Sequence, residues 1–253
     1  MAEITREQVV LALASGATPR LSGIDLSGLN LSGLNFRQAD LRNSSFTEAD
    51  LSKADLRQAD LSGANLTRAN LQAVDLSRVA PKGFLGRYEK THLVRAILNE
   101  ADLHSANLEA AVFDGASLVK ADLRGARITL AHFDGADLTA ADLREVVGSD
   151  MVFFPRANLT GANLSGVTLP AVFVGADLTG ANLSGANFQG SLFNNFKLFA
   201  ASGFSVGTPN RLWPVRIPWV SQPRGAGTGR GRRSGSRSPS CSGRGCGTRR
   251  PSA

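Results

Sequence analysis

A leucine or phenylalanine stands at every fifth residue through most of this chain, commonly with alanine two places before it. The count runs from Leu21 through Leu26, Leu31, Phe36, Leu41 and Phe46 to Leu76 without a miss. It resumes at Leu93 and runs to Leu143, passing Phe113, Leu123, Ile128 and Phe133. After a break it returns at Phe154, slips by one residue between Leu169 and Phe173, and ends at Leu198. A repeat this regular decides the fold before any local motif is read.

A period of five suits neither regular element. On an α-helix each step advances roughly 500°, which spreads the leucines around the whole cylinder. On a straight strand five is odd, so each leucine flips to the opposite face. A short extended piece followed by a corner, in every repeat, buries them all. In Ala64-Asn65-Leu66 the pleat sets Ala64 and Leu66 on one face and Asn65 on the other. Thr67 and Arg68 turn the chain, and Ala69-Asn70-Leu71 begins the next side. Ser32-Gly33, Ser62-Gly63, Thr160-Gly161, Thr179-Gly180 and Ser184-Gly185 supply the small polar residues and glycines that corners favour. Right-angle corners close a four-sided coil of about twenty residues, and stacked coils pair as parallel strands about 4.8 Å apart.

Ala54-Asp55-Leu56, Ala101-Asp102-Leu103, Ala121-Asp122-Leu123, Ala162-Asn163-Leu164 and Ala181-Asn182-Leu183 follow one pattern, A-(D/N)-L-x-x. In this the chain resembles the pentapeptide-repeat family over roughly residues 21–199. The resemblance implies an all-β fold, a right-handed quadrilateral parallel β-helix. About 33 repeats at four per coil give about eight coils, a rod on the order of 40 Å long. Some members of the family, the gyrase-interacting quinolone-resistance proteins, imitate a DNA duplex, so the resemblance also implies a type II topoisomerase as one partner.

The rest of the chain is organised around the repeats. Residues 1–18 read as an N-terminal capping helix: Thr5 and Gln8 make a capping-box pattern, Val9, Val10, Leu11 and Leu13 are apolar, and Gly16 stops it. It is too short and too polar at its start for a signal peptide, and no stretch approaches membrane-spanning length. Residues 19–76 form a first block of repeats, 77–92 a loop insertion, and 93–199 a second block interrupted near 144–153. Each break is either a tolerated surface excursion, with one side of a coil hidden in it, or a partner-contacting loop. Residues 200–221 keep Trp213, Ile217 and Trp219 and are expected to fold over the last coil. Residues 222–253 are Gly, Ser, Arg and Pro with no means of building a core, a disordered basic tail.

The net charge of +7 conceals two opposed parts. The first 199 residues carry 18 lysines and arginines against all 21 acids, a net of −3, while residues 200–253 carry ten arginines and no acid. The tail is either a basic extension, of a composition similar to out-of-frame translation of GC-rich DNA, or an arginine-rich arm for nucleic acid or acidic partners. Direct nucleic-acid binding is expected only through it.

No Ser/His/Asp set, phosphate loop, paired-carboxylate site or cofactor motif is readable, which points away from an enzyme. Cys241 and Cys246 lie in the tail without neighbouring histidines, so zinc is not indicated, and cysteine-poor usage fits the cytoplasm. His132 takes the outward slot of its repeat, as a surface residue does. In the first insertion Phe84, Arg87, Tyr88 and Lys90 are candidate partner contacts, because binding residues concentrate on loops held by a rigid scaffold. Asp102, Asp122 and Asp142, twenty apart, should stack into a column within residues 93–143, which hold eight acids against four bases. Such charges repel by about 1 kcal/mol or less per pair in water. Alternatively, Asp and Asn beside a corner serve to bond backbone amides. In the first block Arg37, Arg42, Lys53, Arg57 and Arg68 nearly neutralise the acids.

The expected function is a non-enzymatic scaffold that binds another macromolecule, expected to be a protein, along its flat sides or first insertion. The rival within binding proteins is a DNA-mimicking binder of gyrase or another topoisomerase, and the rival of another class is a nucleic-acid binder acting through the tail. A second copy would pair at the C-terminal end.

Overall fold

The computed structural model describes residues 4–15, 18–79 and 89–203, all within one compact unit, Met1–Ile217. Phe84, Arg87 and Tyr88, the segment 204–221 and the tail 222–253 lie outside the described residues.

Inward and outward positions follow the pleat. Both Leu123 and Ala121 are buried in one continuous core, while Asp122 between them faces outward. The leucines are buried in the same way from Leu21 to Leu183, with phenylalanine in the leucine place at Phe36, Phe46, Phe113, Phe133, Phe154 and Phe173, while Ile24, Leu29 and Leu34 in the alanine place of the first coil are only partly buried. Outward residues pair in parallel with the coil above and below, Arg20 with Asp40, Asp25 with Ser45, Asn30 with Asp50 and Asn35 with Asp55. Four pairing columns spaced five residues apart, each advancing twenty per step, make a four-sided β-helix-type coil. We name its sides by their first rung: the Arg20, Asp25, Asn30 and Asn35 faces.

The backbone closes both around a corner and between coils. At the corner Leu118–Ala121 the Ala121 amide donates to the Leu118 carbonyl at 3.0 Å, and Lys120 takes φ of 58°. A positive φ at the third residue is what a type II turn requires, and glycine supplies it without steric cost. Gly115, Gly135 and Gly161 do so here, yet many corners use other residues, among them Lys53, Arg68, Ala73, Leu130 and Ala140. Between coils the Leu123 amide donates to the Asp142 carbonyl at 2.8 Å, and the Asp122 amide to the Ala101 carbonyl at 3.0 Å. Each coil is therefore held by bonds running in both directions along the stack.

The helix α1 spans Arg6–Ala14. The Gln8 amide donates to the Thr5 hydroxyl at 3.4 Å and the Thr5 amide to the Gln8 side chain at 2.7 Å, a reciprocal capping box. Val9 is buried in the core, and Arg6 Nε donates to the Asn30 carbonyl at 2.7 Å.

Both breaks in the repeat are resolved by the pairing columns. Asp60 pairs with His92, 32 rather than 20 residues on, so the first insertion adds its length at the corner between the Asn35 and Arg20 faces and no side is lost. Its base is pinched by antiparallel pairing of Val79 with Glu89, and Thr91, fully buried, donates to the Leu56 carbonyl at 3.2 Å. In the second break Arg127 pairs with Val147, so a side does lie hidden there. Val146 fills the alanine place, and Gly148 stands where a leucine would; a Cβ on it would come within 3.4 Å of Val152 and 3.7 Å of Leu169. The next steps are 21 residues, His132 to Phe153, and then 19, Phe153 to Val172. Here lie the strands β1, Val152–Phe153, and β2, Ala171–Val172. Behind them Phe113, Phe133, Phe154, Phe173 and Phe193 stack with ring centroids 4.9, 5.0, 5.4 and 4.9 Å apart, within the range of favourable offset stacking.

Two stability measurements test this architecture. Leu123→Asp places an unpaired carboxylate in the core at a cost of several kcal/mol, so cooperative melting by circular dichroism should be lost or fall by many degrees; melting within a few degrees of the parent would contradict the coil. Ala140→Gly relieves a left-handed alanine at φ of 56° and should stabilise by up to about 1 kcal/mol, read as a higher Tm.

Candidate functional site

The Asn30 face carries the predicted acids. Its rungs run Asn30, Asp50, Asn70, Asp102, Asp122, Asp142, Asn163, Asn182, Ser202, so Asp102, Asp122 and Asp142 occupy three successive coils. Each also caps its own corner: their Oδ1 atoms accept from the amides of His104, Arg124 and Arg144 at 3.0, 3.0 and 3.1 Å. Asn163 and Asn182 make the same bond to Ser165 and Ser184, which is why Asn and Asp interchange along the column.

The carboxylates are not bare. Arg124 reaches back to Asp122 through Nε and Nη2 at 2.9 and 2.6 Å, and its Nε lies 4.0 Å from Asp142 on the next coil. Arg144 holds Asp142 at 3.0 and 2.7 Å. Asp102 accepts from Gln72 Nε2 at 2.6 Å, and His104 follows it at the corner with a buried Nδ1 that has no partner among the described residues. The column is a ladder of alternating charge rather than a row of repelling acids. An Asp-Leu-Arg triplet builds each clamp, and two other faces repeat it: Arg42 joins Asp40 to Asp60 at 2.7 and 3.8 Å, and Arg57 joins Asp55 to Asp75 at 2.5 and 3.4 Å. The arginine two places after the aspartate was the available signal for this pairing.

These contacts bias protonation. The Arg124 hydrogen bonds hold the Asp122 carboxyl below its usual range despite partial burial. Burial raises Asp142, but its Arg144 and amide bonds outweigh that and leave it lowered.

Lys90 does not join the acid column. It sits at the foot of the insertion with Nζ 3.2 Å from His132 Nε2 on the Arg20 face. His132 is outward and half-buried, stacked on Phe153 with centroids 4.7 Å apart. Burial first, then the nearby Lys90 charge, lowers its pKa. The Arg20 face itself changes chemistry along its length: Arg20, Asp40, Asp60, His92, then Val112, His132, Phe153, Val172, Leu192. Steps of 21 and 19 residues after His132 interrupt the twenty-residue spacing, so this apolar run does not emerge from the count alone. Among the described residues no group of His, Cys, Asp and Glu could hold a metal ion, and no helix is long and apolar enough to cross a membrane.

The lowered aspartates stabilise the fold fully above the unfolded aspartate pKa of about 3.9, and that contribution is lost as pH falls through the folded values. The double change Asp122→Asn and Asp142→Asn should therefore flatten the loss of Tm between about pH 5 and pH 2. An unchanged acid limb would show that the clamps contribute nothing.

A family model described as pentapeptide repeats matches in eight copies, over residues 20–58, 44–79, 89–115, 106–145 and 156–195. No curated protein matches the chain. Among solved structures, HetL from the cyanobacterium Nostoc sp. strain PCC 7120, a pentapeptide repeat protein involved in heterocyst differentiation regulation, is 30% identical. The match covers 79% of this chain and 94% of HetL, with a TM-score of 0.31. A pentapeptide repeat protein from the Arabidopsis thaliana thylakoid lumen is 29% identical over 44% of this chain, at a TM-score of 0.31, and this chain spans 65% of it. QnrB1, a plasmid-mediated fluoroquinolone resistance protein, is 19% identical over 66% of this chain and 88% of its own, with a TM-score of 0.32. The repeat model alone accounts for more than half of the residues, and the chain belongs to the pentapeptide repeat family.

Proposed function

We propose that this protein is a non-enzymatic scaffold that holds another macromolecule against its flat faces. The supporting observation is the fixed display of outward side chains: successive rungs are set by backbone bonds on both sides, as at Leu123, Asp122, Leu103 and Asp142, where they run from 2.7 to 3.0 Å. A partner meeting such a face loses no freedom of the scaffold backbone, which favours binding by preorganisation. In the same reading the coil is right-handed, with about eight turns, and the protein works in the cytoplasm.

The partner most directly suggested is a protein that binds nucleic acid, a type II topoisomerase among them. Asp102, Asp122 and Asp142 on consecutive rungs support it, since a row of carboxylates resembles a phosphate strand. Arg124 and Arg144 cut the field of that row, so recognition would depend on the partner drawing the arginines away or reading the alternating pattern.

A chain ending at residue 221, free of most of the arginine-rich tail, is the reagent for the test. It should retain gyrase or topoisomerase subunits in a salt-sensitive pull-down and alter supercoiling at low salt, and changing Asp102, Asp122 and Asp142 together to Asn should weaken both effects. No effect on gyrase at low salt removes the mimic. The scaffold reading makes a separate demand: outward substitutions on one face must abolish capture of a partner without changing Tm. Capture that survives such changes on all four faces would sink it.

A further inference from the structure

An ammonium group has hydrogens to give and no lone pair to receive, so it bonds only the unprotonated nitrogen of a histidine. Lys90 Nζ lies 3.2 Å from His132 Nε2. The contact therefore requires a neutral His132 with its one proton on Nδ1. It also joins distant parts of the coil. Lys90 stands two residues before His92, and His132 lies two rungs beyond His92 on the Arg20 face, so the contact spans the Val112 rung.

The leg by which the first insertion returns, residues 89–91, is otherwise fastened downward. The Val79 amide donates to the Glu89 carbonyl at 3.0 Å, and the Gln58 side-chain amide donates to the Glu89 carboxylate. The buried Thr91 hydroxyl accepts from the Gln58 amide at 3.1 Å and donates to the Leu56 carbonyl. Of the three side chains, only that of Lys90 bonds a later coil.

We propose that His132 is a proton-operated latch on this leg: neutral, it holds Lys90 against the Arg20 face; protonated, it turns an N–H toward the ammonium and releases it. The latch acts whichever partner the faces bind.

The surroundings of His132 oppose the proton. Its ring is half-buried and stacked on Phe153, and burial first, then the Lys90 charge, pushes it below an ordinary histidine. Asp114 and Asp134 at the far corner, and the Phe153 ring face, favour the imidazolium and are outweighed. Asp134 is engaged by Arg156 Nε at 2.9 Å. At the near corner the charges are Glu89, Asp150, and Glu109 held by Arg78 at 3.1 Å; His92 lies two rungs below. Because the folded value lies under the unfolded one of about 6.5, His132 costs no stability above that pH. Stability is drawn down as pH falls through the folded value, and the latch opens over the same interval.

Long-range 1H–15N spectra of the labelled full chain read the proton directly, with His132→Gln identifying the His132 signals among the three histidines. At neutral pH His132 should show the Nδ1–H form, and it should titrate below an ordinary histidine. Lys90→Met should raise its pKa and abolish the preference for that form. Hydrogen exchange reads the latch itself. The protection factor of the Val79 amide should fall several-fold as pH is lowered through the His132 transition, while that of the Leu123 amide in the core ladder stays constant. His132→Gln keeps an acceptor that does not titrate and should hold Val79 protection constant across the interval. His132→Phe keeps the stack on Phe153 without an acceptor and should leave Val79 poorly protected throughout. An Nε2–H form in the parent overturns the proposal, as does a His132 pKa indifferent to Lys90→Met. So does Val79 protection that ignores the transition, or that falls as far in His132→Gln as in the parent.

Discussion

The amide of an inward leucine donates to a carbonyl one coil ahead, and the amide beside it to a carbonyl one coil behind; Leu123 to Asp142 and Asp122 to Ala101 are one such pair. Everything else in the molecule answers to this two-way ladder. A net gain of about 1 kcal/mol per backbone bond is modest, but the ladder fixes coil spacing and hence the space inside. Alanine two places before leucine fits because a larger side chain there would meet its own image one coil away. Aromatic rings fit where they lie flat on one another, as from Phe113 to Phe193. The ladder also forces a corner every five residues, and with it the left-handed backbone that Lys120 or Ala140 adopts at a steric cost of about 1 kcal/mol.

Because the interior is nearly uniform, individuality is confined to the outward slots. Each slot serves its own corner first. Asp and Asn accept from the amide two residues on, and only then does a neighbouring residue decide whether the charge remains available. Arginine after leucine closes the aspartate into a clamp that spans coils; serine or threonine there, as at Ser62 or Thr139, adds a neutral hydroxyl bond instead. The Arg20 face departs from the rule altogether, replacing corner-capping residues with valine, phenylalanine and leucine over its upper rungs.

Much of this was legible before any coordinate. The period of five excludes helix and straight strand, and the capping box at Thr5 and Gln8 and the stacking of Asp102, Asp122 and Asp142 follow from spacing alone. What escaped did so for physical reasons. Gly148 in a leucine place hides a whole side of a coil, because the side is defined by backbone pairing and not by the side chain. The Asp122–Arg124 clamp involves a side chain that leaves the turn and folds back, which a slot-by-slot reading treats as two independent surface charges. The aromatic and aliphatic run on the Arg20 face is spread over eighty residues of sequence, Val112 to Leu192, and becomes contiguous only when every fourth slot is brought together. The clustering of Lys90 with His132 depends on how the insertion returns to the coil, which its length alone does not fix.

The step of 21 residues from His132 to Phe153 is followed by one of 19 to Val172, so the two coils together still consume forty. The first insertion likewise adds length only where the chain already turns. Loss of five residues from the middle of a block would leave the core intact, since leucine would still follow alanine inward. It would nevertheless rotate every later slot by a quarter turn, carrying Asp122 and Asp142 off the column that Asn30 begins and scattering Val172 and Leu192 from Val112. Change in length is thus screened by the surface and not by stability: the coil accepts whole circuits, compensated pairs and bulges at a corner, while a single missing repeat yields a well-folded molecule whose faces no longer match.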